Sequence, residues 1–435
     1  MATEISTQNQ TLLINYLVSS LKKTVPGSHA YTLYLIFTRL ECVEPLTSSK
    51  NIQNAETDRN IFKRRILVLI TEKIKTNPDR DVFVTGIEIH EYYDSNNSSL
   101  IVYISKVDTT GFCNCSVTPT KNLLSAYMNF YSKNERSKFK SLKFHCFARS
   151  QPEYLFQLSA KNPIKRKLED PQLIKWWKRI FQQTFFDNQN NAQNDARGWF
   201  YLPGVSTERN ARMLINDLIY GENEKRENQF WKYGYPYPDA QKAIDVIPKF
   251  EDDAKSRWLS NVESEDENSL TVKEFWDMIS IGGEFVGGNR AGFIWVEMKG
   301  NDGDGGDGQK IISAAKSIKP NEEKIGGLLV DNVTYNLTIN TLLNENFQSE
   351  SLAIESTSNW KCNFLEQRFT KEELEHNFIT FMVENPLVKK EIQKTNVIPV
   401  NNLQMSIKRK NISNDSKIPS SVSQEETNIS PKRIK

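Results

Sequence analysis

Between Val82 and Phe181 the chain alternates strand patterns with capped helix starts, and this alternation limits the fold more than any other feature. Val82–Tyr93 and Ser99–Ser105 flank the turn signal Asp94–Asn97 and predict a β-hairpin. Thr118-Pro119 then predicts a helix, with Thr118 as cap and Pro119 at its first position, and Leu123, Tyr127 and Phe130 along one face. Leu142–Arg149 reads as a strand. Asp170-Pro171 opens a second capped helix whose bulky residues are Leu173, Trp176, Trp177, Ile180 and Phe181. Strands alternating with helices predict an α/β domain.

Around this segment the pattern is sparser. Residues 11–23 read as a helix through Leu13, Tyr16, Leu17 and Leu21, and Ala30–Cys42 as one strand. Gly204–Leu218 contains a helix, and an ordered segment begins at Phe275–Met278. Thr370-Lys371-Glu372-Glu373 is a capping box opening a helix through Phe381. Asn301–Gly308, NDGDGGDG, reads as a flexible insert, within an insert region near 300–325.

Charge is distributed unevenly. The 435 residues carry a formal charge of only +2, yet Lys133–Lys167 holds ten Lys/Arg against two acids. Such a stretch beside aromatics and a helix start suits a ligand with several phosphates and a flat ring, either a nucleotide-like cofactor or nucleic acid. A solvated basic loop is the commoner fate of a run like this. Glu251–Glu267 holds seven acids against two bases. A basic pocket in acidic surroundings could bind an anionic cofactor and a basic protein together.

Five cysteines make no paired framework, and the lone C-x-C at Cys113 and Cys115 gives little reason to expect zinc. Four scattered histidines suggest no metal pair, so no metal is expected. No leader pattern and no apolar run near 18 residues appears, so an intracellular protein away from membranes is expected. From about Asn411 the chain is polar and aperiodic, and residues 401–435 read as a basic, mostly disordered tail. Its clusters Lys408-Arg409-Lys410 and Pro431-Lys432-Arg433 would serve as nuclear import signals.

Two places could carry chemistry. Ile104–Cys115 runs from a strand through a glycine-containing turn to the Thr118-Pro119 helix start, where free N–H groups could cradle a pyrophosphate. It lacks the Gly-Lys-Ser/Thr of a P-loop. Glu251-Asp252-Asp253 follows an apolar Ile-Pro segment, and a carboxylate there could take a proton from an ammonium group. An Asp-Asp pair is more often a turn or cap. Trp176 and Trp177 lie about 100° apart on a helix, so one faces the core and the other is available to a pocket or a seam.

Four segments in this order resemble the fungal histone H3 acetyltransferases of the regulator-of-Ty-transposition type, structural relatives of the CBP-type coactivator acetyltransferases. They are IVYISKVDTTGFCN (Ile101–Asn114), FARSQPEYLFQLSAKN (Phe147–Asn162), LIKWW (Leu173–Trp177) and IPKFEDDAKSRW (Ile247–Trp258). Phe275-Trp276, the capped helix at Thr370 and NVIPVNNLQMSIKRK (Asn396–Lys410) are weaker echoes.

The resemblance implies one large α/β domain over residues 1–400, a mixed central β-sheet surrounded by helices, with acetyl-CoA in a groove. Val107, Asp108 and Thr109 would line the acetyl and pantetheine end. Ser116, Val117, Thr118, Pro119 and Thr120 would cradle the pyrophosphate, without the arginines expected there. Phe147 and Gln151 would form a wall near Arg149 and Tyr154, and Arg166, Lys167 and Leu168 would flank the adenine. Trp177 would close the pocket near the thioester. Asp252 and Asp253 match the acidic pair, Asp253 being the better candidate for proton transfer, and Lys255 matches a lysine that the family acetylates on itself.

Implied partners are histone H3–H4, a nucleosome-assembly-type chaperone and an immunoglobulin-like H3–H4 chaperone, in the nucleus. Direct DNA binding is not expected. The rival readings are a catalytically inactive histone-binding assembly factor and a nucleic-acid-binding protein using the basic stretch.

Overall fold

The computed structural model describes residues 2–48, 61–75, 77–114, 118–187, 195–218, 227, 229–264, 270–281, 291–300 and 327–386. Its contacts group Met1–Val388 as one compact unit. In chain order the first elements are α1 (Ala2–Thr24), β1 (Gly27–Thr38), β2 (Glu41–Val43), β3 (Ile61–Ile74), β4 (Asn77–Asp94), β5 (Ser99–Thr109), α2 (Thr120–Asn129), β6 (Ser141–Arg149) and α3 (Asp170–Phe185). There follow β7 (Arg197–Tyr201), α4 (Glu208–Leu214), β8 (Trp231–Tyr233), α5 (Ala243–Val246), α6 (Ala254–Ser264), α7 (Val272–Ile279) and β9 (Ala291–Lys299). The last are β10 (Leu328–Val330), α8 (Asn332–Leu343), α9 (Glu350–Trp360), α10 (Lys371–Asn377) and β11 (Ile379–Asn385).

The strands join in one sheet of order β10-β1-β3-β4-β5-β6-β9-β7-β8, with β11 also on β1 and β2 also on β3. β1/β10, β5/β6 and β7/β8 are parallel and the other pairs antiparallel, so the sheet is mixed as expected. β3 contains the run Ile66–Ile70, buried throughout, because both faces are covered there. Toward β9 the two faces separate by alternation. Ile294 and Val296 join the main core with α2 and α3, whereas Phe293 and Trp295 join a second, aromatic core with α5, α6 and α7. α3 buries Ile174, Trp177, Ile180, Phe181 and Phe185, each such side chain stabilising by about 1.5–3 kcal/mol. It lies so close to β9 that a Cβ on Gly292 would meet Ile174 Cγ1 at 2.8 Å.

The hairpin, the strand ending at Arg149 and the helices near 11–23, 204–218 and 275 are where the pattern put them. Four details differ. The expected strand Ala30–Cys42 is two strands, broken at Arg39-Leu40, which pair with different stretches of β3. Thr118 does not cap α2: Pro119 holds the cap position, and no side chain bonds the free amides there. Glu169 rather than Asp170 precedes α3, and Asp170 Oδ1 instead accepts the Ser150 N–H at 2.6 Å. The Thr370 capping box is present, but its helix stops at Asn377 and Ile379–Asn385 is a strand on β1. The expectations for residues 301–308, for 396–410 and for the 401–435 tail lie outside the described residues.

Candidate active site

The parallel pair β5/β6 is in register from Ser99–Ser141 to Ile104–Cys146, and there the pairing ends. Both strands continue. β5 runs on to Thr109 against β4, and β6 to Arg149 against β9. A wedge therefore opens at the carboxyl ends of two neighbouring parallel strands, which no longer pair with each other beyond Ile104 and Cys146. Crevices at strand carboxyl ends are where open α/β sheets place ligands. Val107 and Thr109 are half-buried on one lip, and Phe147 and Arg149 on the other.

The loop beyond the wedge is fixed by Asp108. Its Oδ2 accepts the backbone N–H groups of Tyr154, Leu155 and Phe156 at 2.8, 2.9 and 3.0 Å. Its Oδ1 accepts the Thr109 N–H at 2.8 Å and Lys165 Nζ at 2.7 Å. The carboxylate is thus saturated by its own chain, and Asp108 acts as a clamp on the second lip rather than as a polar group offered to a ligand. Gly111 makes the approach possible. Its φ of +86° suits glycine, and a Cβ there would lie 2.8 Å from Lys165 Cα.

The other expected cofactor residues fall around this loop. Tyr154 is half-buried, donates its hydroxyl to the Arg149 carbonyl, and is pushed up in pKa by burial. Gln151, Arg166 and Lys167 are exposed; Leu168 is half-buried and its carbonyl accepts Ser150 Oγ at 2.6 Å. At the α2 start, Thr120 is buried and bonds Thr85 Oγ1 at 2.8 Å and Thr118 Oγ1 at 3.1 Å. Ser116 and Val117 lie outside the described residues.

The basic stretch is not one patch. Lys133, Arg136, Lys138, Lys140 and Lys143 precede or begin β6, while Arg149, Lys161, Lys165, Arg166 and Lys167 lie at or beyond its end. Even the nearest members, Lys143 and Arg149, lie six strand steps of about 3.3 Å apart. Arg136 pairs with Asp195, Lys138 with Glu135, and Lys165 is buried on Asp108. At the wedge end, Lys161, Arg166 and Lys167 are exposed.

Of the tryptophan pair, Trp177 is the core member. It is 5% exposed and packs against Phe181 at 6.2 Å, whereas Trp176 is half-buried and meets it edge-on at 5.0 Å. The ring with an accessible surface is that of Trp176.

The acidic turn lies on the opposite face of β4 and β5 from α2, through Phe250, which stacks on Tyr103 at 4.5 Å. Each carboxylate has its own lysine, from a different element. Glu251 pairs with Lys63 of β3, Asp252 with Lys106 of β5 at 2.5 Å, and Asp253 with Lys255 of α6 at 2.5 Å. Asp253 is 1% exposed, and it also accepts the Lys255 N–H at 3.1 Å and Ser256 Oγ at 3.2 Å. It is a buried counter-ion. Asp252, half exposed at its side chain, is the member of the pair with solvent access.

Lys255 is also buried. It donates to the Pro248 carbonyl at 2.5 Å and sits 4.4 Å from the centre of the Phe250 ring. Burial lowers its pKa, and Asp253 opposes that only in part. Burial, with the charges of Lys255 and Lys143, likewise holds the nearby His145 imidazole well below its usual range.

Lys63, Lys106 and Glu88 are site residues the sequence reading passed over. Their signal was a charge within an otherwise apolar strand, as in IFKRRILVLI and GIEIHEYY. Among the described residues no group of three or more metal-ligating side chains gathers, and no helix is long and apolar enough to cross a membrane.

The histone acetyltransferase KAT11-type domain model matches residues 17–142 and 121–363. The histone acetyltransferase rtt109 of Schizosaccharomyces pombe is 24% identical over 298 residues, 66% of this chain and 73% of that protein. The Aspergillus flavus protein of the same name is 22% identical over 293 residues, 58% of this chain and 51% of its own. In fold, the crystal structure of Rtt109 from Aspergillus fumigatus superposes with a TM-score of 0.64 at 22% identity, covering 85% of this chain and 98% of that one. The domain match spans well over half of the chain, and the protein belongs to the KAT11-type histone acetyltransferases.

Proposed function

We propose that this protein transfers acetyl from acetyl-CoA to a lysine in the first core helix of histone H3, presented as H3–H4. The observation that carries the reading is the wedge at the end of β5/β6, with the acidic turn bonded to its β5 lip through Lys106. The split strand edges of residues 105–109 and 147–149 suit an extended amide-bearing chain such as pantetheine. Val107, Thr109, Phe147, Arg149, Gln151 and Tyr154 would contact that arm. Thr118, Pro119 and Thr120, with Ser116 and Val117, would meet the pyrophosphate, and Arg166, Lys167 and Leu168 the adenine end. Trp176, with Trp177 behind it, would border the thioester.

The acceptor lysine must lose its proton before it attacks the thioester. Asp252 is the solvent-reaching acceptor, and Asp253 keeps Lys255 and the turn in place. Positioning of two bound substrates supplies much of the rate in such a scheme. A buried amine of lowered pKa at Lys255 supports self-acetylation there, since the neutral amine is the nucleophile.

Stimulation by a nucleosome-assembly-type chaperone and an immunoglobulin-like H3–H4 chaperone completes the proposal, with the 401–435 tail as docking segment. Its seven basic and three acidic residues from Lys408 suit an acidic partner. Nuclear localisation and roles in replication-coupled nucleosome assembly, DNA-damage tolerance and transcription regulation follow from that substrate. Mass-spectrometric mapping of H3 after reaction, with and without each chaperone and with the tail deleted beyond Asn411, tests it. Label on first-helix lysines that rises with chaperone and falls with the tail deletion supports the reading. Label elsewhere, or indifference to chaperones, overturns those parts of it.

A further inference from the structure

The strand registers show how the acidic turn is aimed. β4 and β5 pair residue for residue from Asp94–Ser99 to Ile89–Ile104; the register then skips Ser105, so that Glu88 faces Lys106. A bulge of this kind inverts the side-chain alternation of the longer strand and bends it. Before the bulge, the odd-numbered Ile101 and Tyr103 face Phe250 and the turn. After it the even-numbered Lys106 takes that face, and the half-buried Val107 packs against the main core. The bulge also coincides with the last β5/β6 pair, so one inserted residue both opens the wedge and delivers Lys106 to the turn.

Lys106 is gripped from behind. Its Nζ lies 2.6 Å from Glu88 Oε2 and 2.5 Å from Asp252 Oδ2. Glu88 is 2% exposed, accepts the Tyr335 hydroxyl at 3.3 Å and lies 3.5 Å from His90 Nε2. Burial pushes the Glu88 carboxyl up, but the adjacent His90 imidazole and the charge of Lys106 outweigh it and bring it down to about 2. Glu88 therefore stays an anion and a fixed anchor. Asp252, in contrast, has a φ of +63°, a left-handed conformation that aspartate tolerates better than most non-glycine residues and that its pairing with Lys106 accompanies.

We propose that Lys106, clamped by Glu88 and aimed by the Ser105 bulge, is a positioning residue that holds the Asp252 carboxylate toward the acceptor amine. The inference rests on the proposed role of the acidic turn in accepting that proton. It assigns to Lys106 a part in turnover and none in acetyl-CoA affinity.

Steady-state kinetics on Lys106→Met, Lys106→Arg, Asp252→Asn and the Lys106→Met/Asp252→Asn double variant test it. Lys106→Met should lower kcat about tenfold with the KM for acetyl-CoA little changed, and Lys106→Arg should recover most of the loss. The double variant should be no slower than Asp252→Asn alone, because Lys106 has nothing left to position. Glu88→Gln, which loosens the clamp but keeps the lysine, should show the same kcat effect in smaller measure, and it keeps the test open if Lys106→Met folds poorly. Losses that multiply in the double variant, or a Lys106→Arg as slow as Lys106→Met, would overturn the positioning role and leave the proton-acceptor reading intact. Full activity in Asp252→Asn would sink both.

Discussion

The Nζ of Lys255 lies 2.5 Å from Oδ2 of Asp253, with both side chains almost wholly buried. Neither charge has water to fall back on. Removing one partner leaves the other desolvated and uncompensated, at a cost of about 3–5 kcal/mol. Asp253→Ala should therefore lose stability as well as turnover, and Asp253→Asn/Lys255→Met should regain most of the stability without the turnover. Urea unfolding of the three proteins beside an activity assay separates the two effects.

The same pair sets a pH dependence. The Lys255 pKa lies below the 10.5 of a free lysine, because burial outweighs the pull of Asp253. Between the depressed value and 10.5 the unfolded chain binds the proton more tightly than the folded one. This term therefore makes stability rise with pH across that window and level off above it. Unfolding midpoints measured against pH should show the rise in the wild-type protein and lose it in Lys255→Met.

Asp108 should behave as a clamp. In Asp108→Ala the amides of Tyr154, Leu155 and Phe156 lose their acceptor, and Lys165 is left buried beside Ser159. Hydrogen exchange should accelerate at those three amides while the β1/β3 core stays protected, and acetyl-CoA affinity should fall. Unchanged exchange at 154–156 would show that the loop holds itself.

Glu91 tests the helix side of the sheet. It is fully buried, takes Arg64 at 2.5 and 2.9 Å and Tyr93 at 2.6 Å, and is also bonded by Tyr127 of α2 and Tyr131 just beyond it. Glu91→Gln keeps the shape but removes the charge that satisfies Arg64, and should cost about 3 kcal/mol. Calorimetry should show a lowered Tm, with kcat at low temperature nearly unchanged because the network lies on the face away from the acidic turn.

Trp176 and Trp177 should divide their effects. Trp177→Ala opens a cavity in the main core and should cost about 3–5 kcal/mol. Trp176→Ala should spare stability and change acetyl-CoA affinity. Melting curves and binding isotherms for the two variants check this, and the reverse pattern would place the pocket on the Trp177 side.

The parts legible in the sequence were those carried by local signals. The Asp94–Asn97 hairpin, the Pro171 start of α3 and the Thr370 capping box need only neighbouring residues. Strands β7, β8, β10 and β11 are short, and their identity comes from partners distant in the sequence: 33 residues for Gly198 opposite Trp231, and hundreds for Phe381 opposite Tyr31. That distance also explains the helix expected through Phe381, whose strand pairing overrides a good helix start.

At the site, the motif segments were visible but their division of labour was not. Asp252 and Asp253 differ in sequence by one position, and in space by burial against solvent. The Lys255 and Lys106 pairings and the left-handed Asp252 backbone also tell them apart. Lys106 was hidden for a further reason. A strand pattern read with period two assigns it to the wrong face, and the register skip at Ser105 that corrects this leaves no residue signature.

The decisive assay is transfer of labelled acetyl from acetyl-CoA to H3–H4, with free CoA titrated at constant salt. Label on H3, competitive inhibition by CoA, and loss of transfer in Asp252→Asn with acetyl-CoA binding retained are the expected results. Histone binding with neither transfer nor CoA competition would contradict them, and would leave a histone-binding protein whose β5/β6 wedge holds no cofactor.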